Sequence, residues 1–452
     1  MAVVGLLLLA ACGSTESDAA GSRSAPTTGG GGFESSNEDP NEDPAADPNE
    51  DPNEDPNEDP TGGSISDTPV SGNPPVSTGN QPFAVDRIAS SPLNVVNSGI
   101  GAWQNQVVPS DFPEPLIDLA ELRSGGPPPD GIPPIDEPLF LNPDDVDFLA
   151  DNEPVLALEI NGDARAYPVQ ILTWHEIVND TVGGIPVSVT YCPLCNSALA
   201  LDRRVTIDGT DQVLDFGTSG LLLNSSLVMY DRQTETLWSH FTGQAILGQL
   251  TGIELEDFAL STVAWSMWRD ANPDGLVLSK DTGFDRSYGR NPYPGYDDVD
   301  GVPFLFQGEV DGRYTALTRI VGIEGDGEAV GVPLVDLQKA GVLTGEVSET
   351  AFVAWWTAGT ASALDSSSVA DGYDVGATGV FLPEAAGTAL TFIAAAEGLF
   401  IDDQTGSSWN VLGHAVSGEL KGKRLEALSH VDTFWFAWST FQPDTGLVTA
   451  AG

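Results

Sequence analysis

The chain has 452 residues, 67 acidic against 17 basic, and a formal net charge of −50. A surface so acidic excludes nucleic acid and anionic lipid as partners, because like charges repel the phosphates that dominate such binding. It suits a salty habitat, where screening removes the self-repulsion.

The first element is the apolar run Val3 to Ala11, too short to span a bilayer. It ends in Leu9-Ala10-Ala11-Cys12, the pattern of a bacterial lipobox. The expectation is a signal peptide over 1–12, export, and lipid on the Cys12 thiol, which anchors the protein to the extracytoplasmic face of the membrane. Residues 13–85 follow as an acidic spacer rich in proline and glycine, with the repeat "NEDPNEDPAADPNEDPNEDPNEDP" at its centre. Its charges repel and it has almost nothing apolar to bury, so it reads as disordered. At flexible-chain scaling about 70 residues reach on the order of 45 Å. An N-terminal extension covers 86–135.

The rest divides into two diverged copies of one unit, 136–312 and 313–452. "DRQTETLWSHFTGQAILGQLTGIELE" from Asp231 matches "DDQTGSSWNVLGHAVSGELKGKRLE" from Asp402, with Asp231, Thr234 and Trp238 opposite Asp402, Thr405 and Trp409. Shared Trp, Gly and Asp-x-Gln-Thr positions read as structural. Only the first copy holds thiols. Cys192 and Cys195 stand opposite Trp356 and Gly359, His240 opposite Val411, and His175 has no counterpart histidine. His414 and His430, in the second copy, read as surface or satisfied histidines.

Around the cysteines, "IPVSVTY" (185–191) alternates as a strand, and Ser197 to Gly217 reads as two strands joined at Asp208-Gly209. Cys-Pro-Leu-Cys-Asn is then a strand-to-strand turn. Helices are predicted over 168–180 and 261–273. The fold class expected is α+β, mostly antiparallel strand with a few short helices.

Three chemistries fit the pair, and a fourth reading is inert cysteines, one of them packed as a small hydrophobe. A disulfide across so short a loop stabilises little. A metal site of zinc or copper needs more ligands, and His175 with or without His240 would complete Cys2His or Cys2His2. A redox dithiol needs one attacking and one resolving thiol, with His175 as base or thiolate partner, and a redox partner protein or small-molecule oxidant. Gly-Thr-Ser-Gly around Ser219 is not a nucleophile elbow. Arg286, Tyr288 and Arg290 gather in a Gly/Pro-rich loop that either clamps an anionic ligand or pairs internally with acids such as Asp231, the internal pairing being the stronger expectation. A non-catalytic binding module would use that loop as its surface.

"TYCPLCNSALALD", "FGTSGLLLNSSLVMYDRQTETLWSHFTGQAILG" and "SKDTGFDRSYGRNPYPGYD" occur in order. Together they resemble the domain-of-unknown-function family 3179, from about residue 140 onward. The resemblance implies no reaction. It implies selenocysteine at the cysteine motif in some members, which points to a redox nucleophile at Cys192 or Cys195 rather than a closed zinc site. This chain has Asn196 where glycine is frequent in that family, and His240 where glutamine is frequent.

Overall fold

Alternation of β-branched and small residues builds most of the molecule. The computed structural model describes residues 70–71, 112–207 and 209–450. Cys12, most of the spacer and extension, and Asp208 lie outside the described residues. Among the described residues the fold is mostly antiparallel β with four short α-helices: α1 (Val169–His175), α2 (Trp265–Ala271), α3 (Leu334–Ala340) and α4 (Trp435–Phe441). All described residues belong to one compact unit, 65–452. Among them, no helix is long and apolar enough to cross a membrane.

Two sheets share one strand order. In the first, Leu260–Ala264, Pro154–Ile160, Asp163–Pro168 and Leu276–Leu278 are neighbours in that sequence. In the second, Val431–Phe434, Arg319–Glu324, Ala329–Pro333 and Gly446–Leu447 are. The final pairing is parallel in both, and the others are antiparallel. The cysteine sheet places Ile185–Cys192 between Ile177–Val182 and Ser197–Asp202. Ser197 to Gly217, expected as two strands, is broken into more: Ser197–Asp202, a hairpin of Arg204–Ile207 with Thr210–Val213, and then Phe216–Leu223, with Arg203, Leu214 and Asp215 outside the strands.

Both predicted helices are shorter than expected. The first stops at His175 because Glu176 takes φ 60°, a left-handed cap, and Ile177–Val182 continues as strand. The β-branched Ile177 and Val178 favour that extended course. The second begins at Trp265, since Leu260–Ala264 pairs with Pro154–Ile160. A bulge in Phe216–Leu223 turns on Gly220, with φ +76°, where a Cβ would lie 2.0 Å from the Pro127 carbonyl oxygen.

The cores are shared across the chain. Cys192, Cys195, Trp238, Phe241 and Leu250 are closed over by Phe434, Trp435, Phe436 and Trp438. Reciprocally, Trp355, Phe381, Phe400 and Trp409 are closed over by Val263, Trp265 and Trp268. Phe241 stacks on Phe441 at 4.6 Å, and Trp355 on Phe400 at 4.2 Å. Each buried tryptophan removes roughly 200 Å² from water, about 5 kcal/mol at ~25 cal/mol/Å². The helix of each half therefore completes the core of the other.

Two carboxylates anchor the tryptophans in the same way. Asp231 accepts from the Thr234 amide (2.6 Å), the Thr234 hydroxyl (2.8 Å) and Trp238 Nε1 (2.9 Å). Asp402 accepts from the Thr405 amide (2.5 Å), the Thr405 hydroxyl (2.9 Å) and Trp409 Nε1 (2.9 Å). Asp402→Ala strands a buried indole N–H and an amide. It should cost about 2–3 kcal/mol of unfolding free energy, read from the urea midpoint at unchanged slope. A loss below ~0.5 kcal/mol would remove this carboxylate from the frame.

Candidate functional site

The strand Ile185–Cys192 ends at Cys192, and a turn of Pro193 to Asn196 leads into Ser197–Asp202. Cys192 and Ser197 are paired partners across it. Asn196 adopts φ 50°, a left-handed conformation that asparagine tolerates better than most residues and glycine tolerates best. The turn is clamped from the far end of the chain. The Cys195 carbonyl accepts from the Phe434 amide at 3.1 Å and from the Thr433 hydroxyl at 2.8 Å.

Both thiols are free and buried, Cys192 at 2% exposure and Cys195 at 0%. Their surroundings differ. Cys195 Sγ lies 3.0 Å from Ser197 Oγ and 3.6 Å from Ser226 Oγ. Burial alone would push its pKa up. The hydrogen bonds from Cys192, Ser197 and Ser226 together outweigh it, and the Cys195 thiol sits below the ordinary thiol value. Burial pushes Cys192 well above that value, and its contact with Cys195 adds to the rise. The pair is thus polarised. Of the two, Cys195 is the more acidic sulfur and Cys192 the less acidic.

His175 is turned elsewhere. Its Nδ1 donates to the Pro133 carbonyl at 2.6 Å, and its Nε2 faces the Tyr288 hydroxyl at 2.5 Å. A carbonyl only accepts, so Nδ1 carries the hydrogen and neutral Nε2 accepts from Tyr288. Thr282 Oγ1, 2.5 Å from the Tyr288 oxygen, completes the chain as donor. Burial first, with the Arg286 charge adding, lowers the His175 pKa to about 4 against the Pro133 bond. With both nitrogens engaged, His175 has no hydrogen bond to either sulfur.

The imidazole in electrostatic reach of Cys192 is His240. It is fully buried, and neither ring nitrogen has a hydrogen-bond partner. Burial lowers its pKa to about 4, opposed by the charge of Cys192. Glu176, the left-handed cap of α1, is also buried. Burial first, then the charge of Cys192, raises its pKa well above the carboxylate range. Among the described residues, no three His, Cys, Asp or Glu side chains come together in a way that could hold a metal ion. The four proposed ligands Cys192, Cys195, His175 and His240 are therefore not gathered into one set.

A cover lies over the thiols. Tyr293 and Tyr296, both partly buried, pack against the cysteine core with Leu364. Tyr296 donates its hydroxyl to the Leu194 carbonyl at 2.8 Å, and its amide donates to the Leu364 carbonyl at 3.1 Å. Asn291 and Gly295 donate to Ser367 and Asp365 from the same segment. The internal pairing expected of Arg286 and Arg290 is not found. Neither closes an ion pair among the described residues, and Asp231 is taken up by Thr234 and Trp238.

Sequence reasoning missed Glu176, Ser197 and Ser226 as parts of the site. Glu176 and Ser197 adjoin named residues, which is a usable signal. Ser226 reaches Cys195 across 31 positions and has none.

The site defines a class: a β-rich protein with a polarised, buried dithiol at a strand-to-strand turn. Over residues 129–445 the chain matches the family described as Protein of unknown function (DUF3179), and it belongs to that family. Comparison with curated proteins and with solved structures gives no match.

The Tyr296 hydroxyl is the tie between cover and cysteine turn. Tyr296→Phe removes a hydrogen bond worth about 1 kcal/mol, which raises the open population roughly fivefold. Reaction of the thiols with an aromatic disulfide reagent in native buffer should quicken by the same factor. An unchanged rate would mean that Tyr296 does not hold the cover.

Proposed function

We propose that the protein is a thiol–disulfide redox protein using Cys192 and Cys195. The observation that supports it is the opposite displacement of the two thiols, with Ser197 and Ser226 placed to stabilise charge on Cys195 alone. In the step proposed, Cys195 thiolate attacks one sulfur of an incoming disulfide. That S–S bond breaks, a new one forms to Cys195, and the departing thiolate takes a proton. Cys192 then attacks the Cys195 sulfur, its proton passing to His240; the Cys192–Cys195 bond forms, the bond from Cys195 to the second substrate sulfur breaks, and that sulfur leaves as a thiol with the proton from His240. Two electrons move from the dithiol to the oxidant, and an intramolecular disulfide results. His240 suits the proton because its imidazolium and the Cys192 thiolate lower each other's cost in a dry site. This role falls to His240 rather than to His175. The sealed geometry requires the cover to open for a protein oxidant.

The frame supports a second reading, that 136–312 and 313–452 are diverged copies of one unit. The shared strand order and the twin Asp-Thr-Trp anchors favour it. Tyr191 bonds the Glu176 carbonyl as Trp356 bonds that of Gly341, so hydrogen-bond register puts Cys192 opposite Thr357 rather than Trp356. Residues 358–376 then replace the whole cysteine turn. We also propose export and lipid attachment at Cys12, on the lipobox alone. Cys12→Ala should abolish incorporation of labelled palmitate, and retained label would end that proposal.

The redox reading predicts a mass gain of two thiol alkylations after reductant and none after mild oxidant, reversibly. With limiting iodoacetamide on the reduced chain, Cys195 should be labelled before Cys192. Cys192→Ser should trap a mixed disulfide at Cys195, and Cys195→Ser should trap none. Two thiols that stay reduced under an oxidant that opens the cover would refute the proposal.

A further inference from the structure

Most arginines of the described chain are bound to carboxylates: Arg165, Arg203, Arg204, Arg232, Arg269, Arg313, Arg319 and Arg424 all close ion pairs. On a protein of net charge −50, acids are available everywhere. Arg286 and Arg290 nevertheless close none, four positions apart in one loop. Among the described residues, the only side-chain bond of Arg286 goes to the carbonyl of its neighbour Asp285, at 3.3 Å. The loop is rigidly held. Trp174 Nε1 donates to the Arg290 carbonyl at 3.1 Å, the Val369 amide to Gly289 at 3.0 Å, and the Arg290 amide to Ser287 at 3.0 Å. Arg290 therefore sits on a backbone fixed from two sides, which lowers the ordering cost of binding.

An apolar surface lies in the same loop, around the His175 ring on which the Arg286 charge acts. Phe284 is 43% exposed, and its ring lies 5.5 Å from that of His175. The Tyr288 ring packs against the same imidazole at 5.7 Å. His175, buried and hydrogen-bonded at both nitrogens, supports the two rings from beneath. A guanidinium fork matches a carboxylate in two parallel bonds, whereas an extended polyanion would meet the acidic surface around the loop.

We propose that the loop from Asp281 to Arg290 binds a small organic carboxylate, with Arg286 and Arg290 as its anchors and Phe284 as its apolar wall. The site is independent of the thiols and stands whether or not the dithiol is redox-active. Titration calorimetry on the full chain at low salt, with benzoate, acetate and inorganic phosphate as probes, tests it. Saturable benzoate binding at one site is expected, several-fold tighter than acetate. The double variant Arg286→Gln, Arg290→Gln should weaken it at least tenfold, and Phe284→Ala should bring benzoate down to acetate. Arg269→Gln removes an arginine already paired with Asp151 and should leave the affinity within about twofold. Absence of saturable benzoate binding, equal weakening by Arg269→Gln, or phosphate binding tighter than benzoate would each overturn the proposal. Far-ultraviolet circular dichroism and the thermal midpoint of each variant separate a lost site from a lost fold. An unfolded double variant would itself overturn it, since surface anchors of a ligand carry no part of the fold.

Discussion

The tie between the Cys195 carbonyl and the strand Val431–Phe434 governs the site. It joins the turn that carries the thiols to the segment that launches α4. The tryptophans of α4 and its flank then roof the same core that holds both sulfurs. Remove that roof and the cysteines lie in an open hairpin, with water to compete for every bond to Cys195. The dry surroundings make the serine hydroxyls effective. In water a hydroxyl near a thiolate merely replaces solvent, but in a low-dielectric core it decides which sulfur ionises.

The polarisation of the pair also replaces a device seen in other dithiol proteins, a helix N-terminus aimed at the attacking sulfur. Strand, not helix, follows Cys195. Charge stabilisation has to come from discrete polar groups, and the hydroxyls of Ser197 and Ser226 lie within hydrogen-bond reach of Cys195. Around them burial drives His240 downward and Glu176 and Cys192 upward, each toward its neutral form. The nearest charges are those of the buried Arg319–Asp297 ion pair, with Arg319 over the Phe434 ring.

Much of the frame was legible in the sequence. Alternation in 185–191 announced the strand, the Asp-x-Gln-Thr repeats announced the anchors, and Cys-Pro-Leu-Cys-Asn announced the turn. Helix limits were misread because Val169 to Asp180 carries an apolar pattern that serves either period, and only the left-handed backbone at Glu176 divides it. The imidazoles were misassigned for a different reason. His175 is nearer the cysteines in sequence, but the short helix points it at Pro133 and Tyr288. His240, far along the chain, arrives beside Cys192 through the meander of Ser226–Asp231 and Leu237–Ser239. The free state of Arg286 and Arg290 could not be read from composition, since an acidic chain suggests a carboxylate for every cation.

The exchange of roofing helices carries a consequence for how such a chain can change over generations. Cys192 and Cys195 lie in one core and are dispensable to the other. Large aromatic side chains are not, because Trp265 and Trp268 serve a core built on Trp409, and Trp435 and Trp438 one built on Trp238. Neither helix can be removed without exposing the interior that it closes in the other part of the chain.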